Sequence, residues 1–561
     1  MNVLGINYFF HDCSACIVRD GELVVALEEE RFTRRKHTSE FPSTAIHKCL
    51  EIAGLGADGI DYIAVSIDPT KDVLKKLLYG LKLGGRVKPF LKHEFVAPLR
   101  KQRALRSWYR GLYGKRRGPK IFFVSHHLAH VAGSYLVSPY EHAALLSLDG
   151  SGEWSTSWLG EARGRALTCF SESRFPHSLG SFYESATEFC GFRPNYDEGK
   201  TMGLAPFGDP SHFYDVVDRI VSVKNDGRIE LDLSYFEYQN AGSRRCSPKF
   251  YRAFGPPRVG NAPIEKHHED IAAAFQKVLE DKVLKLCRLL EERTSAEHLV
   301  IAGGVALNSV LNGRILRETR FKDVYVMPAA GDGGTSIGAA YYAYNIELDQ
   351  TKRFLHDSAF VGTQYSSEQI VSILRECKLG FRSAGDVCVE AAKLLNSGKI
   401  IGWFQGRMEI GPRALGGRSI LANPTDPQMK AKINAEVKHR EAYRPFAPSA
   451  PAEDSRAYFD LNVESPFMLK VCPVIPAKGS VLPAITHVDG SARLQTLTAD
   501  VHPRYYRLLK EFGRLSGVPV LLNTSFNVMG EPIVESPLDA IRCFFSTGLD
   551  ALVIGDCIVE K

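Results

Sequence analysis

Apolar runs near the N-terminus are short and regularly interrupted: VLGIN, a polar loop at Tyr8–Asp12, SACIV, the Asp20–Gly21 turn, then ELVVALEEER. This spacing predicts strand, loop, strand, turn, strand. The same grammar returns at AALLSLDGSGEWSTSWLGEARGRALTCF, where an apolar run meets Asp-Gly-Ser-Gly and two antiparallel partners follow. Between the copies, SHHLAHVAGSY has helical spacing. HLVIAGGVALNSVLNGRIL predicts a buried strand, a Gly303–Gly304 turn and a helix, and DVYVMPAAGDGG predicts a strand feeding the small-residue helix TSIGAAYYAY. After about Leu355 the pattern changes to helix SEQIVSILREC, helix DVCVEAAKLLNSG and strand KIIGWFQG. We therefore expect two domains, 1–355 and 356–561, both α/β, the first of them duplicated.

Paired lobes built on such hairpins, gripping phosphate through backbone amides, are the plan of the actin, sugar-kinase and Hsp70 ATPases, so a duplicated ATPase fold is expected by analogy. A length of 561 residues is enough for roughly two to four domains with large cores. No apolar run reaches the roughly 20 residues a membrane span needs, and no signal-peptide pattern opens the chain. A cytoplasmic protein is expected, with no membrane partner. The twelve cysteines are scattered, and the one C-x-x-C, Cys13 to Cys16, lies on a strand pattern that points its members to opposite faces, so all are expected to be reduced thiols.

A net charge of +6 is too small to assign a nucleic-acid partner. Much of the excess sits between Lys88 and Lys120, where basic residues alternate with Phe90, Phe95, Trp108, Tyr109 and Tyr113 and Glu94 is the only acid. We expect an exposed helical insertion there, with nucleic acid or an anionic substrate as the alternative.

His126 and His130 lie four apart on a helix pattern, which puts both imidazoles on one face, and Asp149 ends the next strand pattern. Asp332, at a second strand end, faces the first in a duplicated fold. These four form a candidate metal cluster. A zinc-protease mechanism is disfavoured, because the position of its glutamate base is His127. Gly303, Gly304, Asn308 and Gly333 fall at turns where a nucleotide can approach the backbone, and Lys200 sits in the glycine-flanked segment RPNYDEGKTMGLAPFG. In the second domain, Arg407, Arg413, Arg418, Lys438, Arg440, Arg444 and Arg493 occupy glycine-rich or polar loops containing few acids, with Asn523, Ser525 and Asn527 after an apolar strand. So many guanidiniums at such turns point to a polyanionic ligand.

The ordered motifs FHDCSA, EERFTRRKH, HHLAH, LDGSGE, EGKTMGLAPFG, GGVALN, GPRALGGRSILANP, RPFAP, HVDGSARLQT and NTSFN resemble, over essentially the whole chain, the NodU/CmcH family of O-carbamoyltransferases. The resemblance implies a TsaD-like N-terminal domain and a YrdC-like C-terminal domain. It implies that carbamoyl phosphate and ATP form carbamoyl-adenylate in the latter, and that the former passes the carbamoyl group to a hydroxyl of a small-molecule natural product or sugar, as in antibiotic biosynthesis. By motif, His126, His130, Asp149 and Asp332 would hold a divalent metal, Fe2+ in the family pattern. His11 would be the transfer base, aided by Lys36, and Gly303, Gly304 and Asn308 would line the nucleotide. Arg413, Arg418, Lys438, Arg444, Arg493 and Ser525 would hold carbamoyl phosphate and the ATP phosphates, with Mg2+. A tRNA-modifying threonylcarbamoyl transferase is the alternative, with the basic Lys88–Lys120 stretch as its RNA surface.

Overall fold

The N-terminal strands assemble as the sequence pattern expects. β1 (Asn2–Asn7), β2 (Ser14–Arg19) and β3 (Glu22–Glu28) lie side by side, and β4 (Tyr62–Val65) and β5 (Lys120–Phe123) extend the sheet in the order β3-β2-β1-β4-β5. The turn into β3 has φ of +48° at Asp20 and +85° at Gly21, the left-handed pair that matches strand twist in a two-residue hairpin. The computed structural model describes residues 1–8, 10–82, 88, 90, 95, 97–114, 116, 118–240, 244–260 and 262–561. Glu94 lies outside them.

β6 (His142–Leu148), β7 (Ser155–Arg163) and β8 (Ala166–Arg174) begin a second sheet, and the ribbon of β9 (Val221–Val223) and β10 (Ile229–Leu231) follows before β11 (His298–Ala302) and β12 (Asp323–Tyr325) complete it in the order β12-β11-β6-β7-β8. Numbered within each sheet, both run 3-2-1-4-5. In each, the first strand pairs antiparallel with the second and parallel with the fourth, which in turn pairs parallel with the fifth. This repeated topology is the duplicated ATPase fold of the actin and Hsp70 type.

The helix Thr335–Tyr341 joins the two copies. Its small residues let it pack on β1 and against the helix His126–Tyr135. A Cβ on Gly338 would lie 1.8 Å from the Ala129 carbonyl oxygen, so this crossing is open only to glycine.

The chain divides into two compact units, residues 1–24 with 37–355, and residues 25–36 with 356–561. The segment 25–36 thus groups with the C-terminal unit, which no periodicity indicates. That unit carries β13 (Arg382–Ser383), β14 (Ile401–Phe404), β15 (Arg418–Ala422), β16 (Ala447–Pro451), β17 (Lys470–Pro473), β18 (Ser491–Leu497), β19 (Leu521–Ser525), β20 (Ala551–Ile554) and β21 (Cys557–Glu560) in one mixed sheet, ordered β13-β21-β20-β14-β15-β19-β16-β18-β17. The helices Val387–Asn396 and Pro503–Ser516 bury Ala391, Leu395, Leu508 and Phe512 against Trp403, Leu421 and Val553. All twelve cysteines are free thiols, most of them buried. Among the described residues no helix is long and apolar enough to cross a membrane.

Candidate active site

Helical spacing brings His126 and His130 together with their Nε2 atoms 3.0 Å apart. Asp149, just after β6, places Oδ2 3.0 Å from His126 Nε2 and 3.2 Å from His130 Nε2. Asp332, at the turn before the helix Thr335–Tyr341, brings Oδ1 to 3.4 and 3.5 Å from the same nitrogens. Two neutral imidazoles cannot present lone pairs to each other at this distance without a proton or a cation between them. All four ligand atoms lie within 4.8 Å of one another, and convergent imidazole and carboxylate donors fit a first-row divalent cation. Burial disfavours charge on His126, but Asp332 and Asp149 outweigh it and raise its pKa well above the ordinary value. Burial likewise opposes the Asp332 charge, yet His126 and His11 hold its pKa down to about 2.

The third histidine of the motif has another task. His127 is buried, with Nδ1 2.8 Å from Ser147 Oγ and Nε2 donating to the Ser155 carbonyl at 3.0 Å. Burial pushes its pKa down to about 3, so it stays neutral and pins the helix to the second sheet. Sequence reasoning missed Glu153, which accepts the His126 amide at 3.0 Å and the Asp68 amide at 2.7 Å, a negative charge placed at the start of the helix that carries His126 and His130. Its position in the motif LDGSGE was the available signal.

His11 occupies the loop between β1 and β2, its side chain 38 % exposed and Nδ1 3.0 Å from Asp12 Oδ2. Burial lowers its affinity for a proton, but the carboxylates of Asp332 and Asp12 push its pKa up to about 10. Lys36 is exposed and belongs to the second unit, where burial and Arg440 lower the Lys438 pKa and the Lys36 charge adds to the effect.

Gly303, at φ +86°, passes so close to β6 that a Cβ would lie 2.2 Å from the Leu148 carbonyl oxygen. The next amide, Gly304, donates to Asp149 Oδ1 at 3.2 Å. Gly333 is buried in the turn Asp332–Gly334. Asn308 caps the helix Ser309–Glu318 through the Leu311 amide at 3.1 Å and exchanges two side-chain hydrogen bonds with Gln276, at 2.9 and 3.1 Å. Lys200 pairs with Asp197 at 3.3 Å. In the basic stretch, the helix Ala97–Tyr113 exposes Arg100, Arg103, Arg106 and Arg110, whereas Lys101 turns inward and donates to the Tyr8 carbonyl at 3.0 Å.

In the second unit the cationic residues separate into two kinds. Arg418 is wholly buried, stacks 3.7 Å from the Phe404 ring centroid and donates to the Gln405, Gly406 and Gly417 carbonyls. Lys438 is buried too, donating to Ser525 and to Asn527 Oδ1 at 2.9 Å. Asn523 donates to Ala414 O, Ser449 Oγ and Gln495 Oε1, and Ser525 Oγ donates to Asn527 Oδ1 at 2.7 Å. Arg413, Arg440, Arg444 and Arg493 keep part of their surface open, and among the described residues no carboxylate pairs with Arg413 or Arg493. Burial and the neighbouring Arg444 lower the Arg413 pKa to about 10; burial, then Arg413, Arg440 and Arg444, lower that of Arg493 well below its usual value.

Two family models match the chain, "Carbamoyltransferase N-terminus" over residues 2–341 and "Carbamoyltransferase C-terminus" over residues 392–561. The uncharacterised protein sll1178 of Synechocystis sp. is 39 % identical, covering 100 % of this chain and 97 % of its own length. Nodulation protein NolNO of Sinorhizobium fredii is 38 % identical over 99 % of this chain and 80 % of its own. The 3'-hydroxymethylcephem-O-carbamoyltransferase of Streptomyces clavuligerus is 28 % identical over 97 % and 96 %. With both models matched in order along one chain, the protein belongs to the NodU/CmcH carbamoyltransferase family and is a carbamoyltransferase.

Proposed function

We propose that the protein is an ATP-dependent O-carbamoyltransferase that draws on carbamoyl phosphate. The second unit hydrolyses carbamoyl phosphate to carbamate and phosphate and joins the carbamate oxygen to the α-phosphate of ATP, releasing pyrophosphate and leaving carbamoyl-adenylate. The first unit passes the carbamoyl group to an acceptor hydroxyl, giving a carbamate ester and AMP. The observation that carries this is the cluster of Arg413, Arg440, Arg444 and Arg493, in which burial and the neighbouring guanidiniums lower the pKa values of Arg413, Arg440 and Arg493. Like charges held together at a partly open surface are stabilised by a polyanion, and the guanidinium fork suits phosphate oxygens. The relatives named for O-carbamoyl transfer to a cephem hydroxymethyl group support a small-molecule alcohol as acceptor.

In the first unit, His126, His130, Asp149 and Asp332 would hold the divalent metal, which we take to be Fe2+; Mg2+ would accompany ATP. When bound, such a cation supplies positive charge opposite phosphate and carbamoyl oxygens. The Gly303–Gly304 turn brings open backbone beside Asp149, so a nucleotide can lie against it without meeting a side chain. His11 is the base: once the charge of Asp332 is engaged by a cation, the field that keeps this imidazole protonated weakens, and it can accept the hydroxyl proton.

The test is to supply ATP and carbamoyl phosphate with a panel of hydroxylated metabolites and follow AMP, pyrophosphate and the mass gain of one carbamoyl group. AMP and pyrophosphate formation that requires carbamoyl phosphate is expected. Carbamoyl transfer without ATP would overturn the proposal.

A further inference from the structure

The loop that carries His11 is held by three side chains with no place yet in the reaction. Asp12 presents its two carboxylate oxygens to two different imidazoles: Oδ2 to His11 Nδ1 at 3.0 Å and Oδ1 to His37 Nδ1 at 2.7 Å. A carboxylate accepts only, so each Nδ1 so paired carries a hydrogen. For His11 this leaves Nε2 as the atom able to take a proton. His37 is in turn seated edge-on against the Tyr196 ring, with centroids 4.5 Å apart, and the Arg193 guanidinium lies 3.5 Å from the centroid of that ring.

Asn7 is the third side chain. It is 1 % exposed, and its Nδ2 reaches the carbonyls of His11, Asp12 and Asp332 at 3.2, 3.1 and 2.9 Å, while its Oδ1 accepts from Ser66 Oγ at 3.0 Å. One amide therefore ties the base's loop directly to the loop of a metal-ligating aspartate 325 positions away in sequence. Asp12 itself adopts φ +51°, a left-handed conformation that aspartate tolerates better than most residues and that turns its carboxylate back between the two rings. The Cys13 amide donates to the Thr38 carbonyl at 3.4 Å, laying the His37 segment alongside.

Building on the proposed transfer reaction, we infer that Asp12, His37 and Asn7 are positioning residues for His11: Asp12 fixes the tautomer that leaves His11 Nε2 bare, His37 fixes Asp12, and Asn7 holds this assembly in register with Asp332. In the step they serve, the acceptor hydroxyl gives its proton to His11 Nε2 as its oxygen bonds to the carbamoyl carbon. The bond from that carbon to the phosphate oxygen breaks, its electron pair stays on AMP, and the proton passes from His11 to solvent. Asp12 stays ionised and steadies the imidazolium, the division of labour of a carboxylate–histidine pair in acyl transfer. The motif FHDCSA supplies base and carboxylate together, and RRKH supplies the second imidazole.

The test uses the full-length protein and two readouts. The first is the tautomer of neutral His11 from long-range 1H–15N correlation in histidine-labelled protein, with the His11 signal assigned by its loss in His11→Gln. Wild-type protein should show Nδ1–H with bare Nε2, and Asp12→Asn, which keeps the left-handed backbone, should shift His11 towards Nε2–H. The second is carbamoyl-phosphate-dependent AMP formation with water as acceptor. Here kcat should fall about 10²- to 10⁴-fold in Asp12→Asn with KM for ATP within about twofold. A smaller loss, within about tenfold, is expected for His37→Gln, in which Asp12 keeps its bond to His11. Nε2–H at His11 in the wild type, or Asp12→Asn turning over at the wild-type rate, would overturn the inference. Failure of the wild type to make AMP would instead sink the proposed reaction, while the tautomer still decides the role of Asp12.

Discussion

Asp149 is shared between two tasks: Oδ2 faces the paired imidazoles of His126 and His130, and Oδ1 accepts the Gly304 amide at 3.2 Å. One side chain thus couples the candidate metal cluster to the glycine turn assigned to the nucleotide. Asp149→Asn keeps the shape but removes the charge. Bound metal per chain, measured by elemental analysis after desalting, should fall to a minor fraction, and transfer should drop by about 10²-fold or more. Full metal content in this variant would count against the cluster as the metal site.

Removing the ion from the wild type should act in the same direction. Dialysis against a strong chelator should lower Tm, because an ion bound by the folded state and not the unfolded one stabilises by mass action, and re-addition of Fe2+ under anaerobic conditions should restore both Tm and transfer. His126→Ala should show the lower Tm without any response to chelator.

The two units invite a partition of the half-reactions. His11→Asn should keep carbamoyl-phosphate-dependent pyrophosphate release while transfer falls about 10²- to 10⁴-fold. Arg413→Ala should lose adenylate formation by about 10²-fold, and carbamoyl-adenylate supplied from outside should restore transfer. Equal loss of both steps in His11→Asn, or no rescue of Arg413→Ala, would contradict separate sites.

Glu198 predicts a pH effect on stability. Burial, reinforced by the nearby Glu184 charge, raises its pKa to about 7. The unfolded chain ionises it near the ordinary value of about 4.3. The favourable contribution of the neutral carboxyl is therefore complete below that value and is lost as pH rises through about 7. Glu198→Gln should raise Tm at pH 8, change it little at pH 4, and flatten the fall between, as read by thermal unfolding at each pH.

Gly338→Ala should be destabilising by about 1–3 kcal/mol or more, because its Cβ would strike the Ala129 carbonyl and force the two helices apart. The same separation moves Asp332 from His126, so metal content should fall together with Tm.

The hairpins and the four candidate metal ligands were legible because period-two strands, an i,i+4 histidine pair and strand-end aspartates are local patterns. The bonds of Asn7 to Asp332, of His37 to Asp12 and of Glu153 to Asp68 were not, since each joins residues far apart in sequence, although the motif LDGSGE did mark the position of Glu153. Arg418 and Arg413 lie five apart in one glycine-rich stretch of sequence and look alike as letters. Only packing separates the first, enclosed by Phe404 and backbone carbonyls, from the second, left partly open. Asn308 was legible as the start of a helix after the Gly303–Gly304 turn; its side-chain bonds to Gln276 were not, because the partner lies 32 positions away.

The grouping of residues 25–36 with the C-terminal unit means that cutting the chain at 355 does not separate two self-sufficient pieces. A 356–561 fragment would be missing Arg31, which donates to the Gly411 carbonyl at 2.8 Å, and Arg34, which donates to the Ile533 and Pro532 carbonyls at 2.7 and 2.8 Å. The C-terminal unit therefore depends on a strip of chain translated more than 300 residues before the rest of it. Recombination that exchanges whole C-terminal halves between relatives must keep this early strip compatible, so the two halves are constrained to diversify together.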